Sequence, residues 1–202
     1  GAVKVAQDLY RVGLDGRVPV LTASGSGRVW FLDQRNQLAS IDTVTGTTYT
    51  VAQLPADAVL RGLAVGLTHV YVVDIAHSRL WELALASEKL MSYALPVSDV
   101  SAITVAPAGT VWVAMPGSSH LLAFDRATGR FEAISVGVRG AVALAADIGG
   151  LLWFADGVSA IGAYDAREGR VFEVAWPGRA TPGVLTPDGQ GRVWAGTAAG
   201  EV

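Results

Sequence analysis

The apolar and polar positions of this chain follow one pattern repeatedly. In its first full appearance an apolar run, "PVLTA" at 19–23, is closed by the turn "SGSG". A second run, "RVWFLD", is apolar at adjacent positions from Val29 to Leu32 and ends on Asp33. "QRNQ" turns the chain, "LASID" is a third run and "TVTG" a hairpin. A fourth run, "TTYTVAQL", sets Tyr49 and Val51 between Thr48, Thr50 and Ala52. Short runs bounded by Gly, Asn, Asp and Ser predict strands. Alternation in the fourth predicts an outer strand with one wet face. Apolar residues at adjacent positions in the second predict a strand covered on both faces. No window shows the helical apolar period with proper caps.

The pattern is periodic. Trp30, Tyr71, Trp112, Trp153 and Trp194 stand 41 residues apart at every step. Leu21, Ile103, Leu144 and Leu185 each lie nine residues before their Trp. The turn "DTVTG" returns as "DRATG" and "DAREG", and Asp33, Asp74 and Asp156 close equivalent strands. Four strands in a repeat of about 40 residues is the signature of a β-propeller blade. The expected blades are 18–56, 57–97, 98–138 and 139–179, with a fifth made of 180–202 and 1–16. The last segment reads as the first two strands of a unit, and "AVKVAQDLYRVGL" reads as the last two. Joined, they would remove two free sheet edges. The prediction is therefore all-β: one five-bladed propeller of four-stranded blades, closed by its N- and C-terminal segments. The rival is an excerpt of a six- or seven-bladed ring.

Composition narrows the chemistry. The chain is 51% hydrophobic and 16% charged, enough apolar surface for a core and too little charge for disorder. Its formal charge is −3 and it has no basic run, so nucleic acid is not an expected partner. Without cysteine it has no disulfide, thiolate nucleophile or Cys-ligated metal. No apolar run reaches transmembrane length and no signal peptide is visible.

In a propeller, the loops joining strands 2 and 3 share one face with the connections between blades, and ligands are expected at that face. Asp33, Asp74 and Asp156 would all lie there. Three carboxylates with loop carbonyls and water could hold Ca²⁺ or Mg²⁺ in the central channel; alternatively each caps its own turn. Arg61, Arg139 and Arg179 precede first strands of three blades. They could clamp a carboxylate or phosphate, or be ordinary solvated surface. His77 and His120, in corresponding loops, could begin a metal site but lack an obvious third ligand. The aromatic column reads as packing between blades. No Ser-His-Asp grouping, zinc-protease motif or dinucleotide fingerprint is present.

"GRVWFLDQRNQLASIDTVTGTTYTVAQLP" and "GLLWFADGVSAIGAYDAREGRVFEVAWP" resemble the repeat of the streptogramin B (virginiamycin B) lyase group of propellers. "RGLAVGLTHVYVVDIAHSRLWEL" resembles the NHL repeat, found in extracellular sensor domains of bacterial kinases. The lyase resemblance implies a metal ion held by His and Glu on one face, in rings of seven blades. This chain departs from that pattern. Its second strands end on Asp33, Asp74, Met115, Asp156 and Thr197, none of them Glu. Its first strands begin at Val20, Gly62, Ala102, Val142 and Val184, none of them His. Streptogramin lyase activity is therefore not expected. The reading is a monomeric, non-catalytic module presenting one face to a protein or small molecule, in an extracytoplasmic bacterial setting. The alternatives are a metal-dependent lyase or lactonase-like enzyme using Asp33, Asp74, Asp156 and His77, and a kinase sensor domain.

Overall fold

The computed structural model describes residues 2–6, 9–12, 20–23, 27–137, 140–158, 160–176, 181–197 and 199, those before residue 24 and Ala175 by their backbone. Every regular element among them is a strand. β1 (Ala2–Ala6) and β2 (Leu9–Val12) form a two-stranded ribbon. Four four-stranded sheets follow. The first holds β3 (Val20–Ala23), β4 (Arg28–Leu32), β5 (Gln37–Asp42) and β6 (Thr48–Gln53). The second holds β7 (Leu60–Val65), β8 (His69–Asp74), β9 (Arg79–Ala84) and β10 (Leu90–Ala94). The third holds β11 (Ala102–Val105), β12 (Val111–Ala114), β13 (His120–Asp125) and β14 (Arg130–Ser135). The fourth holds β15 (Ala143–Ala146), β16 (Leu151–Ala155), β17 (Ala160–Asp165) and β18 (Arg170–Ala175). β19 (Pro182–Pro187) and β20 (Val193–Thr197) form a second ribbon. Sequence neighbours pair antiparallel throughout, as in propeller blades.

The chain packs as two compact units, Gly1–Ser92 and Tyr93–Val202. In the first, β3 adjoins β7; in the second, β11 adjoins β15 and β15 adjoins β19. Within each unit the first strands of successive sheets are thus the ones that meet, and the Trp-bearing strand lies one place outward. Its consecutive apolar residues are covered on both faces, as expected: Trp30, Phe31 and Leu32 are buried, as are all four residues of β12. The first unit's core joins Trp30, Leu32 and Leu38 to Leu63, Val70 and Leu83. In the second, Trp112 packs edge-on to Tyr164 with ring centroids 5.6 Å apart. Fourth strands are the most exposed, with Thr48, Tyr49 and Thr50 all facing solvent. The aromatic column is buried at Trp30, Tyr71 and Trp112 and half-buried at Trp153. Trp194, on the ribbon strand β20, is 52% exposed.

The turns between third and fourth strands explain the repeated "D-x-x-x-G". Asp42 Oδ1 accepts the backbone N–H groups of Val44 and Thr45, each at 2.9 Å. Asp125 and Asp165 cap theirs likewise, through Ala127 N and Arg167 N at 2.8 Å. Gly46, Gly129 and Gly169 then take left-handed backbone, φ 67°, 67° and 64°. The second sheet keeps the geometry and changes both residues. Ala84 stands where the Asp would be. Glu88, whose N–H reaches Ala84 O at 2.8 Å just as Gly46 N reaches Asp42 O, holds φ 53°. A side chain there costs about 1–2 kcal/mol that glycine avoids.

Candidate functional site

The expected ligand face of the first unit is built from the turns after β4 and β8 and the connection from β6 to β7. Asp33 Oδ1 accepts N–H groups from Arg35 and Gln37, both at 2.8 Å, and so closes its own turn. Asn36 follows in left-handed backbone, φ 59°. Its side-chain amide donates to the carbonyls of Pro55 and Ala58, at 3.0 and 3.1 Å, tying the turn to the inter-blade connection. Gln53 Nε2 donates to Arg35 O at 2.8 Å. The rim is thus cross-braced before any ligand is considered.

Asp74 anchors the neighbouring turn and is completely buried. Its Oδ1 accepts Val59 N at 3.2 Å and Ala76 N at 3.1 Å. Its Oδ2 lies 2.7 Å from His77 Nδ1 and accepts Trp81 Nε1 at 3.4 Å. Burial pushes the Asp74 carboxyl up, but the hydrogen bonds from His77, Trp81 and Val59 outweigh it and hold it below the ordinary carboxylate value. The bond to Asp74 raises His77 above the ordinary histidine value, against a smaller opposing effect of desolvation; Asp57 adds to the rise. His77 Nε2 lies 3.4 Å from Asp57 Oδ2, which is itself largely exposed. Both ring nitrogens therefore face carboxylates, an arrangement that holds the imidazolium. Arg61, the second residue of β7, is exposed, and its neighbour Leu60 pairs with Asp74.

In the second unit Asp156 repeats the role of Asp33: its Oδ1 accepts Val158 N at 2.8 Å and Ala160 N at 3.0 Å. His120 is the first residue of β13, so its counterpart in the second sheet is Arg79, the first residue of β9, and not His77. It is exposed, and its N–H and Nδ1 pair with Ser118 and Ser119 hydroxyls. Arg139 and Arg179 lie outside the described residues, and with them the expected arginine clamp. Among the described residues no three His, Asp or Glu side chains gather as a metal ion would need. No helix among them is long and apolar enough to cross a membrane.

Three contributors escape sequence reading. Asn36 and Trp81 act through loop closure across 19 and 7 positions, distances no local pattern encodes. Asp147, buried, accepts Trp153 Nε1 at 2.9 Å and Leu151 N at 3.0 Å. Its position six residues before the Trp is the one available signal, shared by Asp188 before Trp194.

No protein-family profile and no curated protein matches the chain. Solved structures do. A streptogramin B lyase superposes with a TM-score of 0.73 at 20% identity, covering 90% of this chain, which spans only 62% of the lyase's length. A catalytically inactive virginiamycin B lyase from Staphylococcus aureus with quinupristin superposes at 0.71 and 21% identity, covering 91% of this chain and 68% of that one. The extracellular domain of a hybrid two-component system from B. thetaiotaomicron superposes at 0.66 and 17% identity, covering 90% of this chain and 25% of that one. The chain therefore has the β-propeller fold of the streptogramin lyases, the resemblance carried by its repeats. At these identities the likeness is one of fold.

Proposed function

We propose that this protein is a non-catalytic β-propeller binding module whose loop face, bearing Arg61, Asp57 and His77 in the first unit, receives a protein or small-molecule ligand. The observation that carries the reading is the use made of the acidic strand ends. Asp33 and Asp156 each spend one oxygen on two N–H groups of their own turn, and Asp74 is wholly committed to Val59, Ala76, His77 and Trp81. The residues offered as an enzyme's carboxylates instead brace a rigid rim, and a braced rim with exposed charge suits recognition. Five blades, the last combining β19–β20 with β1–β2, complete the proposal; the two two-stranded ribbons beside four full sheets support it.

The test is to identify what the purified chain binds, by affinity capture and by a thermal-shift panel of small molecules. Arg61→Glu should weaken a bound partner roughly tenfold or more, whereas Arg167→Glu, on a turn between third and fourth strands, should not. Turnover of a streptogramin or a lactone above background, with Mg²⁺ or Ca²⁺ present, would overturn the non-catalytic reading.

A further inference from the structure

Arg61 stands outside the repeat. Leu21, Ile103, Leu144 and Leu185 each pair with the residue that follows the column aromatic: Phe31, Val113, Phe154 and Ala195. In the second sheet that place, opposite Val72, belongs to Leu63 and not to Gly62, the residue nine before Tyr71. The chain has gained a residue before Leu63: Leu63 lies eight positions after Pro55, whereas Ile103 lies seven after Pro96. It has lost one afterwards, because Leu63 stands eight positions before Tyr71 and its counterparts stand nine before their Trp. The two changes cancel, and the 41-residue period hides them. The ladder shows the gained residue directly. Leu60 pairs with Asp74 and Gly62 with Val73, leaving Arg61 as the extra residue of a bulge. β3, β11 and β15 pair without one.

We propose that Arg61 is an oxyanion anchor, binding the carboxylate or phosphate group of a ligand at the loop face. The inference rests on the reading of that face as a binding surface and gives its ligand a charge.

Position, exposure and charge carry it. Leu60 pairs with the last residue of β8, so Arg61 lies at the loop end of β7, the first strand of its sheet. Bulges bend their strand, re-aim a side chain and gather at barrel rims and beside functional sites. Here the insertion keeps Leu63 buried and leaves Arg61 exposed, so it adds a surface charge without disturbing the core. Among the described residues the Arg61 guanidinium has no hydrogen bond, ion pair or aromatic ring as partner. The acid at its end of the ladder, Asp74, is buried and taken by Val59, Ala76, His77 and Trp81. Asp57, in the connection leading to β7, lies against His77. Arg79, across the ladder from Asp74 on its other side, is a second exposed cation. A guanidinium presents five donors in a planar fork that matches two oxygens of a carboxylate or phosphate. Left uncommitted beside a second cation, that fork suits an anionic group.

The test follows the backbone amide of Gly62 and the Nε–H of Arg61 by NMR in the full chain. Succinate, inorganic phosphate or, as a control, chloride is added at constant ionic strength. The expected result is a saturable shift with succinate or phosphate and none with chloride; the tighter of the two oxyanions identifies the group. Arg61→Gln should weaken binding roughly tenfold or more. Arg61→Lys, which keeps the charge and loses the fork, should weaken it as well, whereas Arg167→Gln should not. Deleting Arg61 should restore the pairing of the sister sheets, abolish binding and leave the melting temperature close to the parent's, which separates lost recognition from lost folding. No saturable shift with either oxyanion up to tens of millimolar, or binding indifferent to Arg61→Gln, overturns this inference; a neutral ligand captured on the same face would then leave the binding-module reading standing. Turnover of a streptogramin or a lactone would overturn that reading and leave the anchor in place.

Discussion

Gly162 shows how tightly single positions are constrained. It pairs across the ladder with Phe154, and a Cβ placed on it would meet Phe154 Cε2 at 2.2 Å and Cζ at 2.3 Å. Gly162→Ala must therefore move a fully buried ring, and should destabilise the fold by about 1–3 kcal/mol in urea unfolding. Ala39, opposite Phe31, marks the same register in the first sheet and tolerates a Cβ there. Asp147 offers a second measurement. Replacing it with Ala strands the indole N–H of Trp153 and the N–H of Leu151, and should cost about 1–3 kcal/mol. Trp153 fluorescence should shift on the same substitution; an unchanged midpoint and spectrum would refute this role. The Asp positions were legible in the sequence as repeat features, and their turn-capping alternative is the role the geometry displays for Asp33 and Asp156. The full burial of Asp74 was not legible, because it follows from Val59 and Trp81 folding over it.

At the scale of elements, the pairing of His77 with Asp74 gives the turn from β8 to β9 a pH dependence that can be worked out. Asp74 is held below its ordinary value of 3.8, so its contribution to stability is present above that value and is lost as pH falls through the lower folded one. His77 is raised above 6.5, so its contribution is fully present below 6.5 and is lost as pH rises through the raised value. The melting temperature of the parent should therefore decline as pH rises from 6.5 through the raised value, and His77→Gln should flatten that limb while lowering the maximum. NMR titration should place His77 above the ordinary histidine value of 6.5; a lower apparent pKa would contradict the pairing with Asp74. The strands themselves were largely legible. Period two marked the fourth strands, and adjacent apolar residues marked the second strands. What sequence spacing misjudged was a register: His77 and His120 are 43 residues apart, two more than the 41-residue period, so His77 lies in the turn before β9 while His120 is the first residue of β13.

For the whole molecule, the proposed fifth blade makes a direct prediction. The chain has no cysteine, so one Cys introduced in β1 and one in β20 would be the sole thiols. If the two ribbons share a sheet, oxidation should yield an intramolecular crosslink at high dilution and raise the melting temperature, since closing a long loop restricts the unfolded chain. Crosslinking only between molecules would favour the excerpt of a larger ring. The exposure of Trp194 gives a second readout, because covering it in a complete blade would blue-shift its emission.

The repeat, strand order, capped turns and packing role of the aromatic column were all written locally. Each depends on residues within one blade or on a period between blades, and such patterns survive in a linear text. The burial of Asp74 and the bracing of the loop face by Asn36 were decided only when the chain folded. They bring together residues from different strands and turns. A bulge and a left-handed Glu88 shift what each side chain meets by less than the period reveals.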